Sequence, residues 1–236
     1  TVDDLKQPLG LDDLLIVNDF YALAAGIALF RDDAFTEVKS GIGDRTAPRL
    51  VLGPGTGLGQ ALIVPTSGAP VIIATEGGHA SFAPNSEEER EVLRFIAREH
   101  RRVSIERLLS GSGLVSIYQA LSAGAGIPAH TGQADAITAA ARAGSDPIAV
   151  RAVYLFCKIL GHVVGDVVLA TGSLGGVFLA GGILPKIQAT FSTSRFIECF
   201  LDKGRMRSYL EPVPVRLIEQ EGVALVGAAA ALQSAR

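Results

Sequence analysis

The feature that most constrains this chain is a glycine-rich loop between two apolar strands. Residues 50–52 (LVL) predict a buried strand that runs into residues 53–59 (GPGTGLG). A second strand is predicted over 61–64, and a third over 71–74 completes a hairpin with it. The glycine-rich loops of dinucleotide-binding and P-loop proteins lead instead into a helix, and a P-loop carries a lysine. The sequence therefore excludes both of those nucleotide-binding loops.

The composition of this loop nevertheless favours an anion as its ligand. Glycines allow several backbone N–H groups to turn towards one anion, and Thr56 adds a hydroxyl donor. A plain hairpin turn is the alternative, but such a turn needs only one or two glycines. We therefore expect residues 53–59 to cradle a phosphate group.

A polar pair follows the apolar segment 14–17, which predicts a buried strand. Asn18 and Asp19 would then lie at the carboxyl end of that strand, where open α/β sheets bind ligands. A carboxylate at that place can accept a proton from a substrate hydroxyl. The alternative is an N-cap for a helix predicted over 20–30, and residue type alone favours the cap.

Two acids and a histidine form a second set of candidates. Glu76 and His79 follow the predicted strand 71–74, and Glu106 lies in a predicted short helix. Such acceptor-rich side chains suit a polyhydroxylated ligand. A zinc site is disfavoured because His79 has no cysteine or second histidine near it in the sequence, so no metal site is predicted.

Gly181 and Gly182 follow a predicted strand over 175–180. Two glycines there would let a flat ring or a phosphate lie against the backbone, or they would form the turn before a helix. The sequence does not decide between these interpretations. The alternation of predicted strands and helices indicates an α/β fold.

Charge and composition exclude several function classes. The chain of 236 residues carries 21 Lys and Arg against 24 Asp and Glu, which argues against a nucleic-acid binder. Its longest apolar segment, 148–171, has charged residues two helical turns apart, which predicts a buried helix with one wet edge rather than a membrane span. Cys157 and Cys199 are predicted to be reduced thiols of a cytoplasmic protein, because their spacing fits no disulfide framework. The first residues show no signal peptide.

Six motifs in chain order resemble the bacterial ATP-dependent glucokinase family, within the hexokinase–actin–Hsp70 superfamily. The resemblance runs from about Leu11 to Ala230 and is carried by LIVNDF, LVLGPGTGLG, EGGHASFAPNSEEE, VSIERLLSGSGL, GGVFLAGGILPK and KGRMRSYLEPVPV. It implies a ribonuclease-H-like (actin-like ATPase) fold, with a mixed sheet flanked by helices. It also implies phosphorylation of the 6-hydroxyl of glucose by ATP with Mg²⁺.

The resemblance assigns a role to each candidate residue. Asp19 would be the general base for the glucose 6-hydroxyl, and the sugar hydroxyls would be held by four residues, namely Asn18, Glu76, His79 and Glu106. The second phosphate loop would be formed by Gly55, Thr56 and Gly57. Gly181 and Gly182 would line the adenosine site.

One departure from the family pattern concerns the first phosphate loop. The family opens with a strand–turn–strand that carries an Asp-Gly-Gly-Thr type loop, whose aspartate engages Mg²⁺, and these 236 residues contain no such segment. We therefore expect residues 1–19 to be the remnant of a small domain with its crossover strand. Residues 20–221 would form the large domain, and residues 222–236 a helix that packs back on the small domain.

The departure also leaves two functions open. The first is a hexose kinase whose activity is impaired in this chain, which would still bind glucose weakly and self-associate, as a homodimer, through an uncovered apolar face. The second is a non-catalytic sugar-binding or regulatory module of the same superfamily.

Overall fold

A six-stranded mixed sheet forms the centre of the structure, a computed structural model that describes Leu5, Lys6, Pro8 and residues 10–234. Its strands are β1 (Thr36–Lys39), β2 (Arg49–Pro54), β3 (Leu58–Val64), β4 (Val71–Thr75), β5 (Gly176–Leu179) and β6 (Val215–Leu217). Their order across the sheet is β1-β6-β5-β2-β3-β4. The strands β2, β5 and β6 run parallel, whereas β3, β4 and β1 pair with their neighbours antiparallel. The predicted hairpin of β3 and β4 is confirmed, with Leu62 opposite Ile73.

Helices cover both faces of the sheet. They are α1 (Asp19–Ile27), α2 (Glu87–Ile96), α3 (Gly111–Gly124), α4 (Ala134–Ala143), α5 (Pro147–Thr171), α6 (Gln188–Thr193), α7 (Phe196–Leu201), α8 (Arg207–Leu210) and α9 (Val223–Ser234). Short 3₁₀ turns lie at Asp32–Ala34, Gly77–His79, Ile105–Arg107, Leu184–Ile187 and Gly204–Met206. The predicted mixed sheet flanked by helices is thus present.

The two faces of the sheet carry separate apolar cores because side chains alternate along a strand. Leu50 and Leu52 of β2 point into the larger core, which contains most of α5. Val51, from the same strand, points to the opposite face with Phe178 of β5. That smaller core is closed by α1 and α9.

The helices α1 and α9 touch each other through glycines. A Cβ atom on Gly26 would overlap the carbonyl oxygen of Val223, and one on Gly227 would overlap that of Ala22. Only glycine permits two helix backbones to approach so closely. The helix that begins at Asp19 is therefore fixed by the last described helix of the chain.

The long apolar helix α5 is the predicted buried helix. Asp146 caps its first turn by accepting hydrogen bonds from the N–H groups of Ile148 and Ala149, and Pro147 is its first residue. The helix is long and apolar enough to cross a membrane, yet most of it is buried inside the fold. Its charged edge pairs with other elements, since Arg151 binds Glu88 at 2.6 Å and Asp166 binds Lys203 at 2.8 Å.

The strand predicted over 14–17 is wrong. Residues 13–18 adopt no regular secondary structure, and none of the six strands of the described sheet pairs with them. The apolar composition of that segment predicts burial, but Ile16 is 64% exposed. An extended segment becomes a strand only when a neighbour supplies backbone hydrogen bonds, and no described residue does so here.

The domain division stays a prediction. Residues 1–4, 7 and 9 of the segment 1–19, and residues 235–236 of the C-terminal segment, lie outside the described residues. The two cysteines, Cys157 and Cys199, are buried and free, as predicted.

Candidate active site

The N-terminus of α1 presents two polar side chains with different tasks. The Asn18 carboxamide caps the helix, since its Oδ1 accepts hydrogen bonds from the N–H groups of Phe20 at 2.9 Å and Tyr21 at 3.1 Å. Asp19, the first helical residue, uses only Oδ1, which accepts from Phe20 N–H at 2.8 Å. Its Oδ2 has no hydrogen-bond partner among the described residues. The cap predicted for this pair is therefore made mainly by Asn18, and one oxygen of Asp19 is free.

The glycine-rich loop joins β2 to β3. Its Gly55 N–H donates to the carbonyl oxygen of Gly57 at 2.8 Å, so this N–H is used within the loop. In the described part of the chain, the N–H groups of Thr56 and Gly57 donate to no protein acceptor, and Thr56 is exposed. Two backbone donors and one hydroxyl thus remain for an anion.

Packing inside the chain explains most of the loop's glycines. A Cβ on Gly59 would overlap the ring of Phe20, which follows Asp19, and a Cβ on Gly53 would meet Ala180. A Cβ on Gly57 would lie 2.6 Å from Oε2 of Glu106. The glycine content by itself therefore does not demonstrate a phosphate site.

The side chain of Glu106 connects this loop to the second set of candidates. Its Oε2 accepts a hydrogen bond from Leu58 N–H at 2.8 Å, and its Oε1 lies 4.0 Å from Nδ1 of His79. The other ring nitrogen, Nε2, lies 3.7 Å from Oε2 of Glu76. The imidazole thus lies between the carboxylates of Glu76 and Glu106. Of their four oxygens, only Oε2 of Glu106 accepts a hydrogen bond from Leu58.

Backbone contacts hold these acidic and imidazole groups in place. The 3₁₀ turns Gly77–His79 and Ile105–Arg107 are joined by a hydrogen bond from Ile105 N–H to Ala80 O at 2.9 Å. Arg102 donates to the carbonyl oxygen of His79 at 2.8 Å. The predicted short helix is a 3₁₀ turn over Ile105–Arg107, and its Glu106 lies beside the loop.

One cavity of about 330 Å³ collects most of the predicted site residues. Its lining includes Asn18, Asp19, Gly55, Thr56, Gly57, Glu76, Glu106 and Gly181. His79 does not line this cavity but contacts Glu76 and Glu106 at its wall, and Gly182 lies one residue beyond Gly181.

Gly181 lies where the chain approaches the glycine-rich loop. Its φ of +94° is one that favours glycine, and a Cβ there would overlap the carbonyl oxygen of Pro54. Gly182 has open space around it. Gly181 therefore lets the chain that follows β5 lie against the end of β2, on the loop side of the cavity.

Two polar lining residues were not predicted, Gln60 and Thr75. They face each other across β3 and β4, and the Thr75 hydroxyl is buried without a partner among the described residues. Gln60 is a single polar residue inside an apolar strand, only 6% exposed. That isolated polar position is the sequence signal that would have identified it.

The charge of the cavity restricts what it can bind. Three carboxylates line it, from Asp19, Glu76 and Glu106, and no lysine or arginine does. Hydroxyl groups can donate to these oxygens, whereas a polyphosphate would be repelled unless a cation came with it. The described residues contain no group of three or more His, Cys, Asp or Glu side chains arranged to hold a metal ion.

Comparison with known proteins gives one consistent family. The profile of the family described as Glucokinase matches residues 1–235. A glucokinase of Hahella chejuensis is 45% identical over 232 residues, which cover 98% of this chain and 72% of that protein. The crystal structure of a glucokinase from an Antarctic psychrotroph superimposes with a TM-score of 0.89 at 37% identity, over 99% of this chain and 73% of that one.

A more distant structure shares the fold. The glucokinase of Balamuthia mandrillaris in complex with glucose superimposes with a TM-score of 0.80 at 21% identity, over 92% of this chain and 65% of that one.

Proposed function

Since this chain belongs to the glucokinase family, ATP-dependent sugar kinases with the actin-like ATPase fold, we propose that the 330 Å³ cavity binds glucose and that Asp19 deprotonates its 6-hydroxyl. The observation that carries this proposal is the convergence of three carboxylates on one cavity beside free loop N–H groups. Sugar hydroxyls need acceptors, and a transferred phosphoryl group needs donors. Both are present within one small volume.

The sugar would be held from one side of the cavity. We assign Glu76, Glu106 and His79 to hydroxyl groups, because each has a polar atom with no hydrogen-bond partner among the described residues. Asn18 contributes the nitrogen of its carboxamide, since the oxygen already caps α1. Glu106 has one oxygen for the sugar and one for Leu58, so it couples sugar binding to the loop.

Asp19 has the geometry of a general base. Its Oδ1 is fixed by Phe20 N–H, which orients the carboxylate, and its unpartnered Oδ2 belongs to a residue that lines the cavity. A base must lie within hydrogen-bond reach of the proton that it accepts. Attack by the 6-oxygen on the γ-phosphorus would release ADP and leave the proton on Asp19.

The nucleotide would approach from the loop side. We assign its phosphates to the N–H groups of Thr56 and Gly57 and to the Thr56 hydroxyl, with Gly55 shaping the loop. Gly181 and Gly182 would leave room for the adenosine. The carboxylates of this cavity fit Mg²⁺ that arrives with the phosphates, and the ion would neutralise the phosphate charge.

The proposal also covers the oligomeric state of the protein and its location in the cell. We propose a cytoplasmic homodimer. Apolar side chains at Ile16 (64% exposed) and Leu225 (75% exposed) supply surface for a second copy, and the two free thiols suit a reducing compartment. Size-exclusion chromatography with light scattering tests the dimer.

One pair of ligands distinguishes the sugar kinase from the non-catalytic sugar-binding module. Glucose and 6-deoxyglucose should both bind, measured by calorimetry, because they share the hydroxyls that Glu76 and Glu106 would accept. Only glucose should yield ADP in a coupled assay with ATP and Mg²⁺. Binding of both sugars without ADP formation would favour the sugar-binding module, and absence of glucose binding would exclude both functions.

A further inference from the structure

A second cavity, of about 830 Å³, lies away from the candidate active site. It opens where β2 begins, at Arg49, whereas the glycine-rich loop follows the end of β2 at Pro54. A six-residue strand separates the two places by roughly 17 Å. None of the residues assigned to glucose or nucleotide lines this second cavity.

Two of the arginines that line this cavity lie on the sheet, Arg49 on β2 and Arg216 on β6, and these strands lie on either side of β5. The guanidinium of Arg49 lies 5.7 Å from the centre of the Phe178 ring, and that of Arg216 lies 5.9 Å from it. Their side chains are only 24% and 16% exposed. Stacking against one buried ring holds both cations in fixed positions on the sheet.

These two cations share a single carboxylate. Asp32 lies 3.6 Å from Nη1 of Arg49 and 3.4 Å from Nη2 of Arg216. Neither guanidinium makes a hydrogen bond within the described residues, and Nη1 of Arg216 is buried without any partner there. Burial lowers the pKa of Arg49, Asp32 raises it, and the nearby Arg216 lowers it again.

The other charged side chains that line the cavity leave it with more positive than negative charge. Arg31 and Asp33 pair with each other at 3.0 Å. Arg45 is exposed and makes no ion pair with a described residue, and Glu37 on β1 is exposed and also unpaired. Three guanidiniums therefore face two carboxylates, in a chain whose overall formal charge is −3. The cavity of the candidate active site, by contrast, has no arginine or lysine in its lining.

We propose that Arg49 and Arg216 form a second ligand site, which takes one phosphate group, free or as a small phosphate monoester. Guanidiniums bind such tetrahedral oxyanions through paired N–H donors, and the unsatisfied donors here lack that acceptor. The volume exceeds what one phosphate needs, and Ile42, Pro65 and Pro70 give part of the wall an apolar surface. The organic part of a phosphate monoester would lie against that surface.

Phosphate titration by calorimetry and by ¹⁵N NMR of the arginine side chains tests this site. Inorganic phosphate and glycerol phosphate are compared with chloride at equal ionic strength. We expect the Arg49 and Arg216 signals to shift, and R216Q or R49Q to weaken binding by about tenfold or more. R98Q is the matched control, because Arg98 stacks on Phe95 at 5.5 Å outside the cavity.

Two further variants separate the arginine site from the glycine-rich loop and replace R216Q if it does not fold. T56A must leave the phosphate-induced shifts of the Arg49 and Arg216 signals intact, since their loss would assign the phosphate to the glycine-rich loop instead. If R216Q fails to fold, R45Q removes an exposed charge of the same cavity and should weaken binding by about threefold. Tighter binding of glycerol phosphate indicates a phosphate monoester, and equal binding indicates free phosphate. Unshifted arginine signals, or equal affinity in R216Q and R98Q, would overturn the proposal.

Discussion

The Oε2 atom of Glu106 accepts a hydrogen bond from the N–H of Leu58 at 2.8 Å, across 48 positions of sequence. Leu58 begins β3 directly after the glycine-rich loop, and Glu106 lies in the turn beside His79. One carboxylate thus connects the proposed phosphate side of the cavity with the proposed sugar side. Displacing it should disturb both.

Gly57→Ala tests this connection. The added Cβ would lie 2.6 Å from Oε2 of Glu106, so the carboxylate must move and its bond to Leu58 is lost. We expect glucose affinity, measured by calorimetry, to fall by about tenfold. Gly55→Ala is the matched control, because a Cβ there meets nothing within 4 Å, and its affinity should stay within about twofold.

A double-mutant cycle tests whether Gly57→Ala lowers glucose affinity through Glu106. In a Glu106→Ala background the steric conflict is absent, so Gly57→Ala should add little further loss. If the Gly57→Ala effect has the same size in both backgrounds, the connection through Glu106 is refuted.

Asp19→Asn tests the general base. We expect kcat of the kinase reaction to fall by about 10²–10⁴, while glucose affinity changes little, because the amide keeps the shape but cannot accept the proton. Asp135→Asn is a fitting control, since Asp135 also lies in the first turn of a helix and pairs only with Lys186 on the surface. A kcat within about threefold of the parent would remove Asp19 from this role.

Gly227→Ala tests the contact between α1 and α9. Its methyl group would overlap the carbonyl oxygen of Ala22, so we expect the free energy of unfolding to fall by about 1–3 kcal/mol in urea denaturation. Gly124→Ala, at the end of α3 with open space around it, should raise that free energy by about 0.5 kcal/mol. Equal effects of the two substitutions would mean that the helices are not in close contact.

His162 gives the chain a pH-dependent stability. Burial lowers the pKa of this imidazole below its usual 6.5, although Glu89 acts in the opposite direction, and Lys203 lowers it further. Below about pH 6.5 the unfolded chain takes up a proton that the folded chain resists, so stability falls on acidification. Calorimetric Tm values at pH 7.5 and 5.5 should differ less in His162→Gln than in the parent.

His100→Gln is the control for this measurement. It should keep the pH dependence of the parent, because His100 lies on the surface beside Arg107. Identical pH slopes in the parent and in His162→Gln would show that His162 does not cause the loss.

Residues near one another in the sequence were predicted well. The hairpin of β3 and β4 and the buried helix over 148–171 follow from local apolar patterns and from the spacing of charged residues. The polar pair at 18 and 19 was predicted to be either a cap or a base. The structure gives the cap chiefly to Asn18 and leaves Oδ2 of Asp19 free, a division that depends on side-chain rotation and is not written in the sequence.

Contacts between distant segments were beyond sequence reasoning. The glycines at 53 and 59 suggested a phosphate cradle, yet they also make room for Ala180 and Phe20. Gln60 was not predicted because strand register, which sets it opposite Thr75, cannot be read from sequence spacing. The apolar segment 14–17 was misassigned because a strand requires a neighbour, which composition does not reveal.

The glycine contact between Gly26 and Val223 also has a consequence during protein synthesis. Translation produces α1 before α9, and the six described strands lie between them in the sequence. A nascent chain therefore carries the Asp19 helix without its partner until those six strands have been made. Ordering of that helix end, and with it any activity that depends on Asp19, should therefore follow the synthesis of the six described strands.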